Sequence, residues 1–435
     1  MSAGPDPRSH ARPSRAWVRA FSVSAILSGI ILLFLTNAYF TPFFSRANVL
    51  GKGSQVSFAE VDYSQAPFLL WLTRMAYLLV GSAGLAGWVF NIRKVGAYPR
   101  WAMLFLFAWS VALVFVHDFN AEWFQTNALI YGKLAPGTMV VMGVVCWGAD
   151  ERAWPTLKKW IIRFAWVATW IFFFGLLKMD GANRSEAYRW VFEPSLFLGA
   201  TAMLVAAGGM NSRGWRFFGG MVPLLAFLIS AVVLMDRLQI VIFAVMLYSF
   251  LIFRDWMKSR NVEWVALKLA VYSVVFPALA AAAFGAFVFF DQGIIGSSAK
   301  MLGARVLEDT RSQQFRRFFH DLSPGTVAIG NGHIFQSGSF GGGTAAGIDC
   351  GYLNLLWIGG LPLLVPFLYL MASGVMNGFK ARRTEDAAVI SLLAAVAVEY
   401  FSSASPSFSA VTVIAFLFLG RALRLGLGAN GAGRP

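Results

Sequence analysis

"AIGNGHIFQSGSFGGGTAAGIDCGYLNLLWIGGLPLLVPFLYL", from Ala328 to Leu370, changes character halfway along. From Tyr352 onward it is apolar enough to lie in hydrocarbon. Up to Asp349 it holds seven glycines, with His333 and that aspartate. Irregular backbone at membrane depth is tolerated only where it is buried in protein or lines water. A polar, glycine-rich segment ending in a lone acid is therefore set directly against a membrane-crossing helix, and the surrounding chain must account for it.

Working outward, apolar runs of similar length recur along the whole chain. Hydrophobic residues make up 58% of it and charged residues only 13%, and mean hydropathy is +0.63. These values lie far from those of soluble globular proteins. A run of about 20 apolar residues crosses a bilayer core of roughly 30 Å. Spans are predicted near residues 20–43, 67–90, 101–117, 127–148, 160–178, 190–208, 217–235, 238–253, 265–290, 351–377, 386–402 and 407–423. The expected fold class is thus an all-α polytopic membrane protein. Its expected divisions are a cytoplasmic N-terminal tail (1–19), helices 1–9 (20–290), a large periplasmic loop (291–350), helices 10–12 (351–423) and a cytoplasmic tail (424–435). The first span follows Arg8, Arg12, Arg15 and Arg19 but is too long for a cleaved signal segment, so it reads as a retained anchor.

Orientation follows from the cations. With the N-terminus inside, the inner segments collect Arg93, Lys94 and Arg100, then Arg152, Lys158, Lys159 and Arg163, then Arg213 and Arg216. They also collect Arg254, Lys258 and Arg260, then Lys380, Arg382 and Arg383, and finally Arg421 and Arg424. Every inner segment is then basic, as the positive-inside rule requires, and both termini are expected in the cytoplasm. The net charge of +15 is mostly topological. Cations scattered over short, separate loops give no continuous footprint for nucleic acid, and no nucleic-acid partner is expected.

The outer loops fall near Ser45–Gln65, His117–Thr126, Lys178–Arg189, the Asp236-Arg237 turn, Asp291–Cys350 and Ser403–Pro406. The segment from Asp291 to Cys350 is by far the longest, and long loops in compact proteins are commonly functional. The outer loops also carry cations that the orientation bias normally depletes: Lys178, Arg184, Arg189, Arg237, Arg305, Arg311, Arg316 and Arg317. Arg237 shares a very short turn with Asp236, where an unpaired charge at the membrane boundary is costly. It reads either as a structural Asp–Arg pair, as a snorkelling arginine, or as part of an anion site, since guanidinium groups hold phosphate bidentately. Leu307–Leu322 has helical spacing and reads as an amphipathic helix on the outer surface, with Phe315, Phe318, Phe319 and Leu322 on its apolar face. Its Arg316 and Arg317 suit a solvated face, whereas Arg311 follows Asp309-Thr310 and has the option of pointing inward. Arg74 and Lys133 fall within spans and rank second as functional cations.

Cysteine and histidine carry little. Cys146 and Cys350 are placed too differently to be expected as a bridge. The four histidines, His10, His117, His320 and His333, are dispersed, and no CxxC, HExxH or P-loop occurs. No metal and no cofactor are expected.

At three places the chain resembles the Wzy polymerase and O-antigen ligase superfamily of bacterial integral membrane glycosyltransferases. One is the outer turn with its arginine in "MDRLQIVIFAVML". Another is Arg311 in "DTRSQQF", followed by the Gly-x-Gly turn of "IGNGH" at Gly330 and Gly332. The third is "DCGYLNLLWIGGLPLL", with Asp349, Tyr352 and Leu353 before Gly-Gly-Leu. The resemblance implies a GT-C-like fold in the bacterial inner membrane, with twelve spans and an active site facing the periplasm. It implies a metal-independent transferase whose donor is an undecaprenyl-diphosphate-linked oligosaccharide, often working beside a chain-length regulator. The ligase branch shows His-Asn where this chain has Asp349-Cys350. The polymerase branch shows Asp, any residue, Gly-Tyr-Leu, as here. The favoured expectation is therefore a polymerase joining lipid-linked repeat units, with a ligase as the alternative.

Under that resemblance an acceptor hydroxyl needs a base within hydrogen-bond reach. Asp349 is the first candidate and His333 the second. The departing diphosphate needs fixed positive charge, for which Arg237 and Arg311 come first and Arg184 and Arg189 next. Gly330, Gly332, Gly341, Gly342 and Gly343 would let the backbone turn tightly and approach a bulky glycan, with Tyr352 at the start of the following helix. Plainer readings stand beside these. Asp349 suits an N-cap of the tenth helix, His333 an ordinary loop position, and Tyr352 a packing role. A transporter is the competing class, but it commonly shows paired repeats and Gly/Pro-broken helices in both halves, and no such symmetry is visible. A purely structural scaffold is disfavoured by the excess of outer arginines.

Overall fold

Every regular element among the described residues is helical. An apolar chain that must satisfy its own backbone in hydrocarbon has few other options. The computed structural model describes residues 13–39, 67–116, 136–177, 222, 237–290, 310–332, 350–402 and 410–431. In chain order the helices are α1 (Pro13–Tyr39), α2 (Pro67–Ala86), α3 (Ala97–Val116), α4 (Pro136–Met142), α5 (Val145–Gly148) and α6 (Trp154–Leu177). There follow α7 (Arg237–Ser259), α8 (Val262–Phe290), α9 (Thr310–Asp321), α10 (Pro324–Ile329), α11 (Gly351–Met376), α12 (Thr384–Ser402) and α13 (Ala410–Gly431). Proline opens α1, α2, α4 and α10, where its fixed φ suits the first turn and its missing N–H costs nothing.

Among the described residues five stretches are long and apolar enough to cross a membrane: Ala16–Leu33, Trp71–Lys94, Ala97–Val116, Gly351–Lys380 and Ala410–Leu427. The chain is a helical membrane protein. Helices α6, α7, α8 and α12 coincide with further predicted spans, whereas the spans near 190–208 and 217–235 lie outside the described residues apart from Val222. Two boundaries differ from the sequence reading. Helix α1 starts at Pro13, so Arg15 and Arg19 belong to its first two turns rather than to a preceding tail. The described part of the span near 127–148 starts at Pro136 and breaks at Gly143-Val144 into α4 and α5.

That broken stretch lies at the centre of the packing. From Gly137 to Asp150 every residue except Val140 is buried. Glycines let the neighbouring backbones come close, as small residues do at membrane helix interfaces. A Cβ on Gly143 would collide with the carbonyl of Gly84 in α2, and one on Gly148 with the carbonyl of Leu417 in α13. Indole N–H groups lock the same contact: Trp147 donates to the Ala83 carbonyl at 2.7 Å and Trp88 to that of Met139 at 3.1 Å. Elsewhere α1 lies along α2, α7 along α12, and α11 along α3.

Most ion pairs gather at one end of this bundle. Asp150 receives Lys94 at 2.7 Å and Arg19 at 3.4 Å, which ties together the start of α1, the short helical turn Ile92–Lys94 between α2 and α3, and the turn before α6. Lys158 meets Glu385 at 2.6 Å, Arg424 meets Glu151 at 3.3 Å, and Arg421 meets Asp386 through two nitrogens at 3.0 and 2.8 Å. The segments that charge bias assigns to one side therefore do share one end of the fold. Burial alone would push the Asp150 carboxyl upward. Hydrogen bonds from Lys94 and the Arg152 N–H, with the charges of Lys94 and Arg19, outweigh burial and hold it below the usual range.

Candidate functional site

The opening stretch meets the rest of the protein at a fault in α11. Residue Gly360 has φ +66° and ψ −166°, so the helix runs as two halves, Gly351–Gly359 and Leu361–Met376. Only glycine occupies that backbone region at low cost. Two residues later Pro362 has no N–H to return to the Ile358 carbonyl, the expected consequence of proline inside a helix. Three successive carbonyls need other donors, and each finds one. The Asn331 N–H donates to Trp357 O at 2.7 Å and the Gly332 N–H to Ile358 O at 2.9 Å. The Trp109 indole donates to Gly359 O at 2.8 Å.

What delivers Asn331 and Gly332 is a short, well-terminated unit. Ser323 caps α10 by accepting the Thr326 N–H at 3.1 Å, with Pro324 in the first turn. The Thr326 hydroxyl donates to Asn331 Oδ1 at 3.1 Å, and the Gly330 N–H returns to Thr326 O at 2.9 Å. Gly330 and Gly332 then take φ of +80° and +73°. A Cβ on Gly330 would collide with the Ile358 carbonyl and the Gly359 nitrogen, and one on Gly360 would meet the Ala328 carbonyl carbon and oxygen at 2.8 Å. The two backbones touch directly. The left-handed turns of Gly330 and Gly332 bring the segment onto α11, so the tight turning expected of these glycines serves a contact within the protein. Gly341 to Gly343 lie outside the described residues.

The amphipathic stretch before this unit forms α9, and most of its expected apolar face packs against the protein. Phe318 is fully buried, with its ring centroid 5.6 Å from that of Trp357. Phe315 and Leu322 pack against the core beside it, while Phe319 stays exposed. The exposed face carries Arg316 and Arg317. Arg311 is the second residue of α9, and Arg237 is the first residue of α7.

Tyr352 has a packing role here. Its hydroxyl donates to the Ala397 carbonyl at 2.8 Å, and its ring lies against Phe367 and Tyr400. The N-cap of α11 is Cys350, with no side chain capping the helix, so the described cap position falls one residue beyond Asp349. Asp349, His333, Arg184, Arg189 and Lys133 lie outside the described residues. Arg74 is exposed on α2 between Trp71 and Leu78, which are exposed too. Cys146 and Cys350 are buried free thiols. Among the described residues no group of three or more His, Cys, Asp or Glu is placed to hold a metal ion.

The arrangement fixes both ends of the polar segment on one half-helix. Gly332 is bonded at Ile358, eight residues beyond Cys350, so the described chain stops and resumes about 12 Å apart along α11. Sequence reasoning missed Asn331, Trp109 and the break itself. The local signal was Gly359-Gly360-Leu361-Pro362 inside an apolar run.

No protein-family model, curated protein or solved structure matches this chain. Fold and site define a helical membrane protein in which a discontinuous helix is completed by a neighbouring glycine turn.

Proposed function

We propose that the chain is a polysaccharide polymerase that joins undecaprenyl-diphosphate-linked oligosaccharide repeat units at the periplasmic face of the bacterial inner membrane. In this reading it spans the membrane twelve times with both termini in the cytoplasm. The observation that carries the proposal is the docking of Asn331 and Gly332 on the broken α11. It sets Gly332 and Cys350, the residues that flank the segment from His333 to Asp349, on one half of an apolar helix long enough to cross a membrane. Irregular polar backbone set against such a helix is expected to line a cavity, and discontinuous helices accompany substrate sites in other membrane proteins.

The acceptor is a sugar hydroxyl of one lipid-linked chain, and the donor is the anomeric carbon of another. Asp349 takes the hydroxyl proton, with His333 as second candidate. The new glycosidic C–O bond forms as the bond to the diphosphate breaks, and undecaprenyl diphosphate leaves. Arg237 and Arg311, with Arg184 and Arg189, hold the charge that develops on the departing diphosphate. Chain length would be set with a regulator in the same membrane.

The test is the size distribution of lipid-linked and released glycan in cells lacking this protein, complemented with the native chain, Asp349→Asn or Arg311→Ala. Single repeat units relieved only by the native chain are the expected outcome. Long chains that stay on the carrier and never reach their final acceptor would assign a ligase instead. Normal polymer from both variants would remove these residues from the chemistry. A reporter fused near Ser339 is expected to be active only outside the cytoplasm, and activity inside would overturn the span count.

A further inference from the structure

At the end of the bundle where the ion pairs gather, one corner keeps its positive charge. Helix α7 is followed directly by Arg260, which has φ +52°, an unfavourable conformation for a residue with a side chain. Its guanidinium donates to Phe379 O at 2.8 Å and to Ala381 O at 3.2 Å. Those carbonyls flank Lys380 in the turn between α11 and α12. The Trp256 indole donates to the same Phe379 carbonyl at 2.9 Å, and the Phe379 ring stands edge-on to Phe253 and Trp256. The turn is thus clamped to the end of α7. Around it Lys258, Arg260, Lys380, Arg382 and Arg383 are all exposed.

Nearby acids do not neutralise this corner. Asp255 is occupied by Arg254, Lys268 and the Tyr272 hydroxyl. Glu385 is held by Lys158 and Asp386 by Arg421. Arg260 binds neutral carbonyls, which leave its charge intact and several of its five N–H donors open. Among the described residues only Glu263, at the start of α8, brings an unpaired carboxylate close in sequence to this corner. Large apolar side chains lie exposed beside it: Met376, Phe379, Val262 and Trp264. Cations directly above an exposed apolar belt are where a headgroup phosphate sits when acyl chains cover that belt, and basic pockets between membrane helices bind acidic lipid headgroups in this way.

We infer that Lys258, Arg260, Lys380, Arg382 and Arg383 form a binding site for the phosphate of an anionic phospholipid headgroup, with its acyl chains against Met376, Phe379 and Trp264. The ligand chemistry is a phosphate or phosphodiester anion, and its source is the bilayer. The site is separate from the polymerase reading and does not depend on it.

The test uses the purified full chain in a non-ionic detergent, with native mass spectrometry and thermal unfolding followed together. Probes are dioleoylphosphatidylglycerol, tetraoleoylcardiolipin, dioleoylphosphatidylcholine and inorganic phosphate. The two anionic lipids are expected to bind and raise the unfolding midpoint, the zwitterionic lipid to bind far more weakly, and the effect to fall with added salt. Lys380→Gln/Arg382→Gln/Arg383→Gln is expected to weaken anionic-lipid binding by roughly a hundredfold, at about a fivefold loss per surface cation. Arg93→Gln/Arg100→Gln/Lys159→Gln removes equal charge at the same end and is expected to change binding only a few-fold, and Arg382→Lys/Arg383→Lys to keep it. Equal losses from both triple variants, or equal binding of phosphatidylcholine, would overturn the site. Full protection by inorganic phosphate at the lipid concentrations would overturn the bilayer as the source.

Discussion

Gly330→Ala probes the contact on which the site is built. The native φ of +80° lies in a region that costs a residue with a Cβ about 1–3 kcal/mol. The added methyl would also collide with the Ile358 carbonyl and the Gly359 nitrogen, which belong to the α11 backbone and have little room to yield. Relieving that collision moves the turn away from α11 and withdraws the Asn331 and Gly332 donors from Trp357 O and Ile358 O. Each buried carbonyl left without a donor costs about 1–3 kcal/mol. Since the shift relieves part of the strain, a total of roughly 3–6 kcal/mol is expected. The assay is thermal unfolding of the purified chain in detergent, read by tryptophan fluorescence, with a midpoint lowered by about 5 °C or more. Gly360→Ala is expected to fall by a similar amount and to be strongly non-additive with Gly330→Ala, because both disrupt one contact. Gly325→Ala is the control: it sits in α10, the nearest atom to an added Cβ is Ser323 Oγ at 3.7 Å, and its effect should be neutral or slightly stabilising. A Gly330→Ala protein with the native midpoint would refute the docking.

Other outcomes follow from the packing. Asp150→Asn removes the buried carboxylate that Lys94 and Arg19 share and is expected to cost about 1–3 kcal/mol, less than for a fully buried pair because both cations are partly exposed. The Asp150 carboxyl is held low in the folded protein, so its contribution is complete above the ordinary carboxylate range near pH 4 and is lost as pH falls through the lower folded value. The acid limb of a stability–pH profile should accordingly flatten in Asp150→Asn. Arg421→Lys gives up the two-nitrogen contact with Asp386 and is expected to cost about 1–2 kcal/mol in chemical denaturation, since an ammonium cannot reproduce the guanidinium fork. Tyr352→Phe deletes the bond to Ala397 O and should cost about 1 kcal/mol in thermal unfolding. Glycan product length in cells should stay unchanged, and a shortened product would return Tyr352 to the substrate.

The helices were legible because a bilayer leaves the chain so little choice: long apolar runs from α1 to α13 announce themselves by composition alone. The common end of these basic segments was legible too, since charge bias groups Arg19, Lys94, Lys158 and Arg421 before any contact is known. The partners were not. Asp150 and Asp386 read as minor acids in basic loops, and only folding shows that they collect cations from several segments. The break in α11 had a local signature, Gly359-Gly360-Leu361-Pro362, but the donors that close it come from Asn331, Gly332 and Trp109. The last of these is 250 residues away in sequence, and no hydropathy pattern couples such positions. Gly330 illustrates the general difficulty. A glycine announces freedom of the backbone but not which neighbour that freedom admits, and here the neighbour was the protein's own helix.

The division of α11 also bears on how the chain is made. Its first half, Gly351–Gly359, is far shorter than the roughly 20 residues needed to cross hydrocarbon, and at the joint the Trp357 and Ile358 carbonyls receive N–H donors from outside the helix. Their donors lie in a stretch that leaves the ribosome before α11 does. The glycine turn at 330–332 must therefore wait beside the membrane, already made and still unmatched, until the helix that needs it arrives. Insertion of α11 and docking of that turn become a single event, and a lesion in either stretch is expected to leave both accessible to the quality-control proteases of the membrane.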